Sequence, residues 1–282
     1  MVIRFKKRYF ALLLAVVFLI LVSKVHAETH TSSDVFSFPI IMYHHICNDK
    51  KRLNDYCITP ETFQSDIEYL SNMGYETITV RDLLSYENGE SELPEKCVML
   101  TFDDGHESFL KYAYPVLKKY NMTAVMAIVG AFADQFSKID DHNTDYSYLT
   151  WAQIKMLQES GIVEFSNHTY NMHKNAKNTR KGCAIMKNEG VEKYKQTLRQ
   201  DLNQVQSEFE ERTGKSPVCF TYPYGKMCKP ANEVIKEMGF RVVFNCNEVN
   251  VIPKSREDWL MNLSRYNRPN GKTSEEFFRK KL

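Results

Sequence analysis

Several motifs that identify common protein classes are missing from this sequence. No G-x-G-x-x-G follows a predicted strand and no G-x-x-x-x-G-K-[ST] occurs, so the phosphate-binding loops of nucleotide-binding proteins are absent. No C-x-x-C pair occurs, so neither a zinc ribbon nor a thioredoxin-like motif is supported. Internal repeats, low-complexity stretches and a clear interdomain linker are also missing. The chain therefore looks like one globular domain of ordinary composition.

An excess of positive charge is missing once the N-terminus is set aside. Residues 1–27 combine four basic residues near the start, an apolar run over 11–22, and the small residues Val25 and Ala27. This layout predicts a secretory signal or an uncleaved membrane anchor, followed by a polar spacer over 28–37. Residues 1–27 contain five of the 37 basic residues and no acidic residue, which leaves a net charge of 32 − 35 = −3. We therefore expect an extracellular or cell-surface protein that does not bind nucleic acid.

The seven cysteines leave at least one thiol unpaired within the chain. Cys47 with Cys57, or Cys219 with Cys228, are spaced to close a local disulfide loop. The alternative is that most of the cysteines are small buried hydrophobic residues. Spacing alone does not decide between these alternatives.

From Phe38 onward, strand-like and helix-like segments alternate along the chain. We predict about seven strands, centred on FPIIMYHHI, ETITV, CVMLTF, TAVMAIV, IVEFSN, PVCFTY and RVVFNC. Such alternation is typical of a parallel sheet covered by helices, and both a barrel and an open doubly wound sheet fit it. The pattern predicts one catalytic domain over residues 38–282, with its chemistry at the carboxyl ends of the strands.

Two of these strand ends carry candidate catalytic residues. CVMLTF leads into the adjacent carboxylates Asp103 and Asp104, and IVEFSN leads into His168 and His173. Two imidazoles and one carboxylate can bind a divalent metal and leave positions open for water and substrate. The second carboxylate can then remain a free base. The alternatives are a solvated Asp-Gly turn and two surface histidines.

TFDDG, HTYNMH and YPYG, in this order, resemble the motifs of polysaccharide deacetylases with a NodB-like domain. The five-residue step between the histidines is most similar to the branch that deacetylates poly-N-acetylglucosamine. The resemblance implies a distorted (β/α) barrel, in this branch with circularly rearranged elements. It also implies that water on a metal attacks an acetyl group of an N-acetylglucosamine polymer.

The resemblance also implies roles for individual residues. Asp103 would be the general base, and the Tyr224 amide would stabilise the oxyanion. The metal ligands would be Asp104, His168 and His173. Zinc is the default for this ligand set, and cobalt, nickel or manganese also suit it.

The sequence departs from the family in having no histidine after His173, where the usual general acid would lie. The poly-N-acetylglucosamine branch that the chain resembles draws a histidine from a similar YH near its start, and this resemblance makes His44 of MYHHI our candidate for the acid, with His45 second. A histidine with a near-neutral pKa suits departure of an amine. Only one of the two should reach the site if they lie on a continuous strand.

Further residues are candidates for contacts with sugar. Arg265, Asn267 and Arg268 would either hold Asp103 or bind sugar hydroxyls, and the alternative is a polar exit loop. The tyrosines that could stack on sugar rings are Tyr170, Tyr222 and Tyr224, although such rings more often pack in the core.

The sequence thus predicts an exported, metal-dependent deacetylase acting on poly-N-acetylglucosamine, peptidoglycan or a chitin-like polymer. Two alternatives are an O-acetyl esterase acting on xylan-like glycans and a catalytically inactive glycan-binding protein.

Overall fold

The computed structural model describes residues 36–139, 141–177, 179–253 and 259–282. The chain divides at Phe36 into two units, and nearly all of the described residues belong to the second, Ser37–Leu282. The predicted signal or anchor over 1–27, and residues 28–35 of the predicted spacer, lie outside the described residues. Within the described ranges, every helix is too short or too polar to cross a membrane.

A curled sheet of parallel strands forms the centre of the second unit. Its strands follow the order β10-β1-β5-β6-β7-β8-β9, and β4 pairs with the start of β5, while β2 and β3 form a small separate sheet. The strands are β1 (Ile40–Tyr43), β2 (His45–Ile46), β3 (Cys57–Ile58), β4 (Glu76–Thr77), β5 (Cys97–Phe102), β6 (Ala124–Ile128), β7 (Val163–Asn167), β8 (Cys219–Thr221), β9 (Val242–Phe244) and β10 (Tyr266–Asn267). All six residues of β5 are buried, as expected for a strand covered on both faces. The seven-stranded parallel path confirms the predicted α/β fold, whereas circular rearrangement of its elements stays a prediction.

Helices cover the sheet. They are α1 (Pro60–Asn72), α2 (Val80–Glu87), α3 (Tyr114–Lys119), α4 (Gly130–Ile139), α5 (Trp151–Glu159), α6 (Val191–Thr213), α7 (Lys229–Glu237) and α8 (Ser274–Phe278). The threonines before α1, α2, α5 and α8 each accept a hydrogen bond from a backbone amide of the first turn. Such caps satisfy donors that a helix N-terminus otherwise leaves unpaired.

A turn of π-helix over Phe109–Ala113 precedes Pro115 and leads into α3. Proline has no amide hydrogen, so the carbonyl one turn earlier loses its usual partner, and the wider turn accommodates this loss.

A buried ion pair joins α1 to the segment before α8. The Arg268 guanidinium donates two hydrogen bonds to Asp66, at 2.7 and 2.9 Å, and both side chains are inaccessible to solvent. Ser274 and Tyr43 donate further hydrogen bonds to the same carboxylate. The prediction that Arg268 binds sugar is therefore wrong, because its charged group is committed to Asp66 in the interior.

Candidate active site

The carboxyl ends of β1, β5, β7 and β8 open onto one cavity of about 920 Å³. We call it the catalytic cavity. Its lining includes the predicted residues His44, Asp103, Asp104, His168, His173 and Tyr224. Strand ends that are far apart in the sequence thus meet at one edge of the sheet, as parallel topology requires.

A sharp turn gives the two adjacent carboxylates different environments. The Asp103 amide still donates to the Tyr43 carbonyl of β1, at 3.0 Å, so Asp103 continues the strand. Asp104 and Gly105 then both adopt left-handed backbone, with φ of 71° and 76°. A side chain at Gly105 would meet Ile128 Cδ1 at 2.8 Å, so glycine is required by conformation and by space.

Asp103 forms a buried bidentate pair with Arg265. The guanidinium donates to the two carboxylate oxygens at 2.6 and 2.9 Å, and it also donates to Thr101 Oγ1 and to the Asn245 carbonyl. Burial alone would raise the pKa of Asp103, but the charge and hydrogen bonds of Arg265, together with His168 and His44, lower it overall. Asp103 is therefore held ionised in a fixed orientation. Of the two roles proposed for Arg265, the structure supports holding Asp103, because a fully buried guanidinium cannot reach sugar.

Asp104, His168 and His173 converge on one point. Asp104 Oδ1 lies 3.5 Å from His168 Nε2 and 3.0 Å from His173 Nε2, without making a well-oriented hydrogen bond to either. His168 Nδ1 lies 2.8 Å from the Thr221 carbonyl, which can only accept, so Nδ1 carries the proton and Nε2 of the neutral ring has a free lone pair. Burial would raise the pKa of Asp104, but protonated imidazoles at these positions would hold that pKa well below its ordinary value. The donor set fits a divalent transition metal.

The chain turns between the two histidines, as their convergence requires. Thr169 adopts left-handed backbone with φ of 71°. Asp201 on α6 accepts hydrogen bonds from the amides of Tyr170 and Asn171, at 2.8 and 2.9 Å, and so fixes the turn. Sequence reasoning missed Asp201, because it belongs to a helix remote in the chain.

His44 lies at a break between β1 and β2, with Nε2 3.9 Å from Asp103 Oδ2. Burial lowers the pKa of His44, although Asp103 and Asp104 act in the opposite direction. This direction departs from the near-neutral pKa on which its choice as an acid was based. His45 also lines the cavity, but its Nε2 lies 2.9 Å from the Thr144 carbonyl.

Of the tyrosine and asparagine candidates, some line the catalytic cavity and others are buried or lie elsewhere. Tyr224 is 37% exposed, has φ of 57°, and places its hydroxyl 3.3 Å from His173 Nδ1, where it orients that ring. Tyr222 is fully buried and hydrogen-bonded to Asn232, so its predicted sugar contact is wrong. Asn267 lines the cavity, and its role in binding sugar stays a prediction. Tyr170 donates to Asp134 and packs against α4 rather than lining the cavity.

His106 is a cavity residue that sequence reasoning missed. Its Nε2 lies 3.8 Å from Asp104 Oδ2, and its ring stacks on Tyr148 at 4.7 Å. Its position directly after TFDDG was a usable signal, because a residue after a tight turn at a strand end faces the same cavity.

Comparison with known proteins is consistent with this geometry. Residues 90–243 match the polysaccharide deacetylase family, which is more than half of the chain. The chain is 25% identical over 241 residues to the poly-beta-1,6-N-acetyl-D-glucosamine N-deacetylase of Escherichia coli (strain K12), covering 77% of this chain but only 36% of that relative. It is 27% identical over 213 residues to the enzyme of the same name from Staphylococcus aureus (strain MRSA252), covering 76% of this chain and 69% of that one.

Solved structures share the fold. A de-N-acetylase from Aggregatibacter actinomycetemcomitans superimposes with a TM-score of 0.75 and 25% identity, over 87% of this chain and all of that one. The IcaB structure from Ammonifex degensii superimposes with a TM-score of 0.68 and 23% identity, over 83% and 92% of the respective chains.

Proposed function

Because this chain belongs to the polysaccharide deacetylase family, we propose that it is an exported, metal-dependent hydrolase that removes N-acetyl groups from an N-acetylglucosamine polymer. One observation carries the proposal: a carboxylate and two imidazoles converge beside a second carboxylate that a buried arginine holds ionised. A catalytically inactive glycan-binding protein would have no need to keep all four groups in this arrangement.

Asp104, His168 and His173 would hold the metal. A divalent cation bound there supplies a Lewis acid that polarises the acetyl carbonyl and makes water easier to deprotonate. Zinc suits two imidazoles and one carboxylate, and cobalt, nickel and manganese are accepted by the same donors.

The chain's own residues supply the remaining steps. Asp103 takes the proton of the attacking water, and Arg265 keeps its two oxygens aimed and charged until then. The Tyr224 amide donates a hydrogen bond to the oxygen on which negative charge develops. His44, which also lines the cavity and lies near Asp103, delivers a proton to the departing amine nitrogen. These roles account for cleavage of the acetamide into acetate and a free amine.

The relatives named above support poly-N-acetylglucosamine as the first polymer to test, with peptidoglycan and chitin-like chains next. Purified full-length protein should release acetate from at least one of these polymers, and each acetate should leave one new free amine. Acetate released from O-acetylated xylan without new amine would instead identify an O-acetyl esterase. Failure to release acetate from any polymer with metal supplied would refute both activities.

Export is supported by the basic and apolar layout of residues 1–27. Expression of the full chain with a C-terminal tag, followed by fractionation, would distinguish a cleaved signal from a retained anchor. Protein that stays in the cytoplasm would contradict this part of the proposal.

A further inference from the structure

Positive side chains surround the catalytic cavity. Five of the residues that line it are cationic, and we call them the basic rim: Arg52, Lys181, Lys226, Lys272 and Lys281. Besides Asp103 and Asp104, the acidic lining residues are Asp55 and Glu248. The rim is thus positive on balance, although the chain after residue 27 has the net charge of −3 derived above. Composition alone does not explain this concentration of positive charge.

Aromatic rings lie next to two of these lysines. Lys281 Nζ lies 4.4 Å from the ring centre of Phe277 and 4.8 Å from that of Tyr266, and Lys181 Nζ lies 5.9 Å from that of Tyr224. Other cations of the chain form ion pairs, as Lys195 does with Glu233. Within the described ranges, no member of the basic rim forms an ion pair with a carboxylate. The rim charge therefore remains available to a ligand.

A ligand of the rim must suit this charge. Deacetylation of a neutral polymer produces a chain of cationic amines, which the rim would repel. Carboxylate or phosphate groups beside the N-acetyl sugar would be attracted into the cavity and would raise the rate of productive encounter.

We propose that the natural substrate is an anionic glycan, in which N-acetylglucosamine is flanked by residues carrying carboxylate or phosphate groups. This inference rests on the proposed deacetylase function and specifies its substrate class. Muramic-type carboxylates and glycosyl phosphates are two sources of the same negative charge.

A matched pair of polymers tests the inference. Glycol chitin is neutral, whereas carboxymethyl chitin carries carboxylates on a similar backbone. We expect kcat/KM for acetate release to be at least about tenfold higher on carboxymethyl chitin at low salt, and this advantage to shrink as NaCl is raised. Equal kcat/KM on both polymers with the same salt dependence would overturn the inference and leave the deacetylase function intact. No acetate from either polymer, nor from poly-N-acetylglucosamine or peptidoglycan, would overturn the function itself.

Variants connect the preference to the rim. The double variant Lys181→Gln/Lys226→Gln should lose more kcat/KM on the anionic polymer than on the neutral one, which lowers the ratio of the two kcat/KM values. Lys155→Gln, on α5 and outside the cavity lining, is the matched control and should leave this ratio unchanged. Peptidoglycan and a phosphate-bearing N-acetylated glycan then distinguish the two anion sources. A ratio that the rim variant does not alter would exclude these lysines as its cause.

A second, independent observation concerns two cysteines. Cys47 and Cys57 are both buried, and their sulfur atoms lie 3.1 Å apart. The two cysteines lie on neighbouring parallel segments of the chain. The Cys47 amide donates a hydrogen bond to the Ile58 carbonyl, and Cys57 lies opposite His45 in the β2–β3 ladder.

The segment between these cysteines forms one wall of the catalytic cavity. Arg52, Asn54, Asp55 and Tyr56 all line it. The Tyr56 ring contacts the His44 ring edge-on, with centroids 5.0 Å apart. A bond between the two cysteines would therefore fix a wall that contacts the proposed general acid.

We infer that Cys47 and Cys57 form a disulfide in the exported protein. One thiolate attacks a disulfide of a thiol–disulfide oxidoreductase or a small disulfide oxidant and releases one of its sulfurs as a thiol. The second cysteine then attacks the resulting mixed disulfide and releases the other sulfur of the oxidant as a thiol. The two thiols lose two protons and two electrons as the sulfur–sulfur bond forms, and the oxidant is reduced to two thiols.

Alkylation of the unreduced full-length protein, followed by mass spectrometry, tests the bond. We expect the peptides containing Cys47 and Cys57 to be joined, and a reductant to lower Tm by about 5–10 °C. In Cys47→Ser/Cys57→Ser, the reductant should no longer change Tm, which excludes disulfides elsewhere as the cause. Alkylation of both thiols without reductant would overturn the inference. Zinc content provides a second test. If Asp104→Ala retains bound zinc and the double serine variant loses it, the two cysteines bind zinc together with His45 instead of forming a disulfide, and the inference is wrong.

Discussion

At the scale of single residues, Asp103 has two tasks that one substitution can separate. It is proposed to accept a proton, and it also balances the buried charge of Arg265. Asp103→Asn keeps the shape of the side chain but removes both the basicity and the charge. We expect acetate release to fall by about 10²–10⁴-fold, the usual contribution of a general base, while metal content stays unchanged.

Stability should separate the two tasks. Asp103→Asn should also lower Tm, because the Arg265 charge loses its buried partner. The double variant Asp103→Asn/Arg265→Met removes that unpaired charge and should recover part of the lost Tm without recovering activity. An Asp103→Asn enzyme with wild-type turnover would exclude Asp103 as the base.

His44 provides a second prediction at this scale. If it protonates the leaving amine, His44→Ala should lower kcat by about 10²–10⁴-fold on amide substrates. An O-acetyl ester has a leaving group that departs more readily without a proton, so the loss should be smaller on such a substrate. Equal losses on amide and ester would count against an acid role, and undiminished turnover would exclude any role in catalysis.

The sequence allows the chemistry of individual residues to be predicted better than their partners. Asp103, Asp104, His168 and His173 could be chosen because each follows an apolar strand and belongs to a chemically specific set. Arg265 and Arg268 look alike in the sequence, three residues apart in one segment. Only the fold distinguishes them, since one pairs with Asp103 and the other with Asp66.

At the scale of secondary-structure elements, the Asp66–Arg268 pair ties α1 to the chain around β10 and α8. Arg268→Ala leaves the Asp66 carboxylate buried without a counter-charge, which costs about 3–5 kcal/mol in comparable buried pairs. We expect the free energy of unfolding, measured with urea, to fall by this amount. At a temperature where the variant remains folded, kcat/KM should change little.

A double variant controls for the loss of packing at this pair. Asp66→Asn/Arg268→Met removes both charges and should regain much of the lost stability. If Arg268→Ala instead raised KM strongly and left stability unchanged, Arg268 would bind sugar after all, contrary to its buried position in the structure.

Helix and strand positions were predictable where local signals are strong. A threonine cap and a glycine after the last turn mark both α1 and α5 in the sequence, and α1 also has a proline in its first turn. The small β2–β3 sheet was not predictable, because FPIIMYHHI looks like one continuous strand. The chain breaks at His44 because this residue turns toward the cavity while His45 pairs beside Cys57.

At the scale of the whole molecule, metal binding should stabilise the fold as well as support activity. The ligands come from the turn after β5 and from the segment after β7, so a bound cation joins two separate parts of the sheet. A ligand present at about 100 times its Kd contributes about 2.7 kcal/mol. We expect a chelator to abolish acetate release and lower Tm, and added zinc, cobalt, nickel or manganese to restore both.

The variant His168→Gln serves as the control for this experiment. Its Tm should respond far less to the chelator than that of the wild type. Full activity in the presence of a chelator, with no metal detected by elemental analysis, would contradict the metal-dependent mechanism.

The order of strands also governs when the enzyme becomes competent. The earliest strand, β1, pairs with β5 on one side and with β10 on the other, so Ile41 meets Tyr266 only after most of the intervening chain is in place. Arg265 immediately precedes β10, and it is the group that holds Asp103 ionised. Such non-local pairing forms slowly, since the entropy of closing a long loop opposes it. A chain whose β10 has not yet docked against β1 therefore lacks the group that holds Asp103 ionised, and we expect no hydrolysis from it.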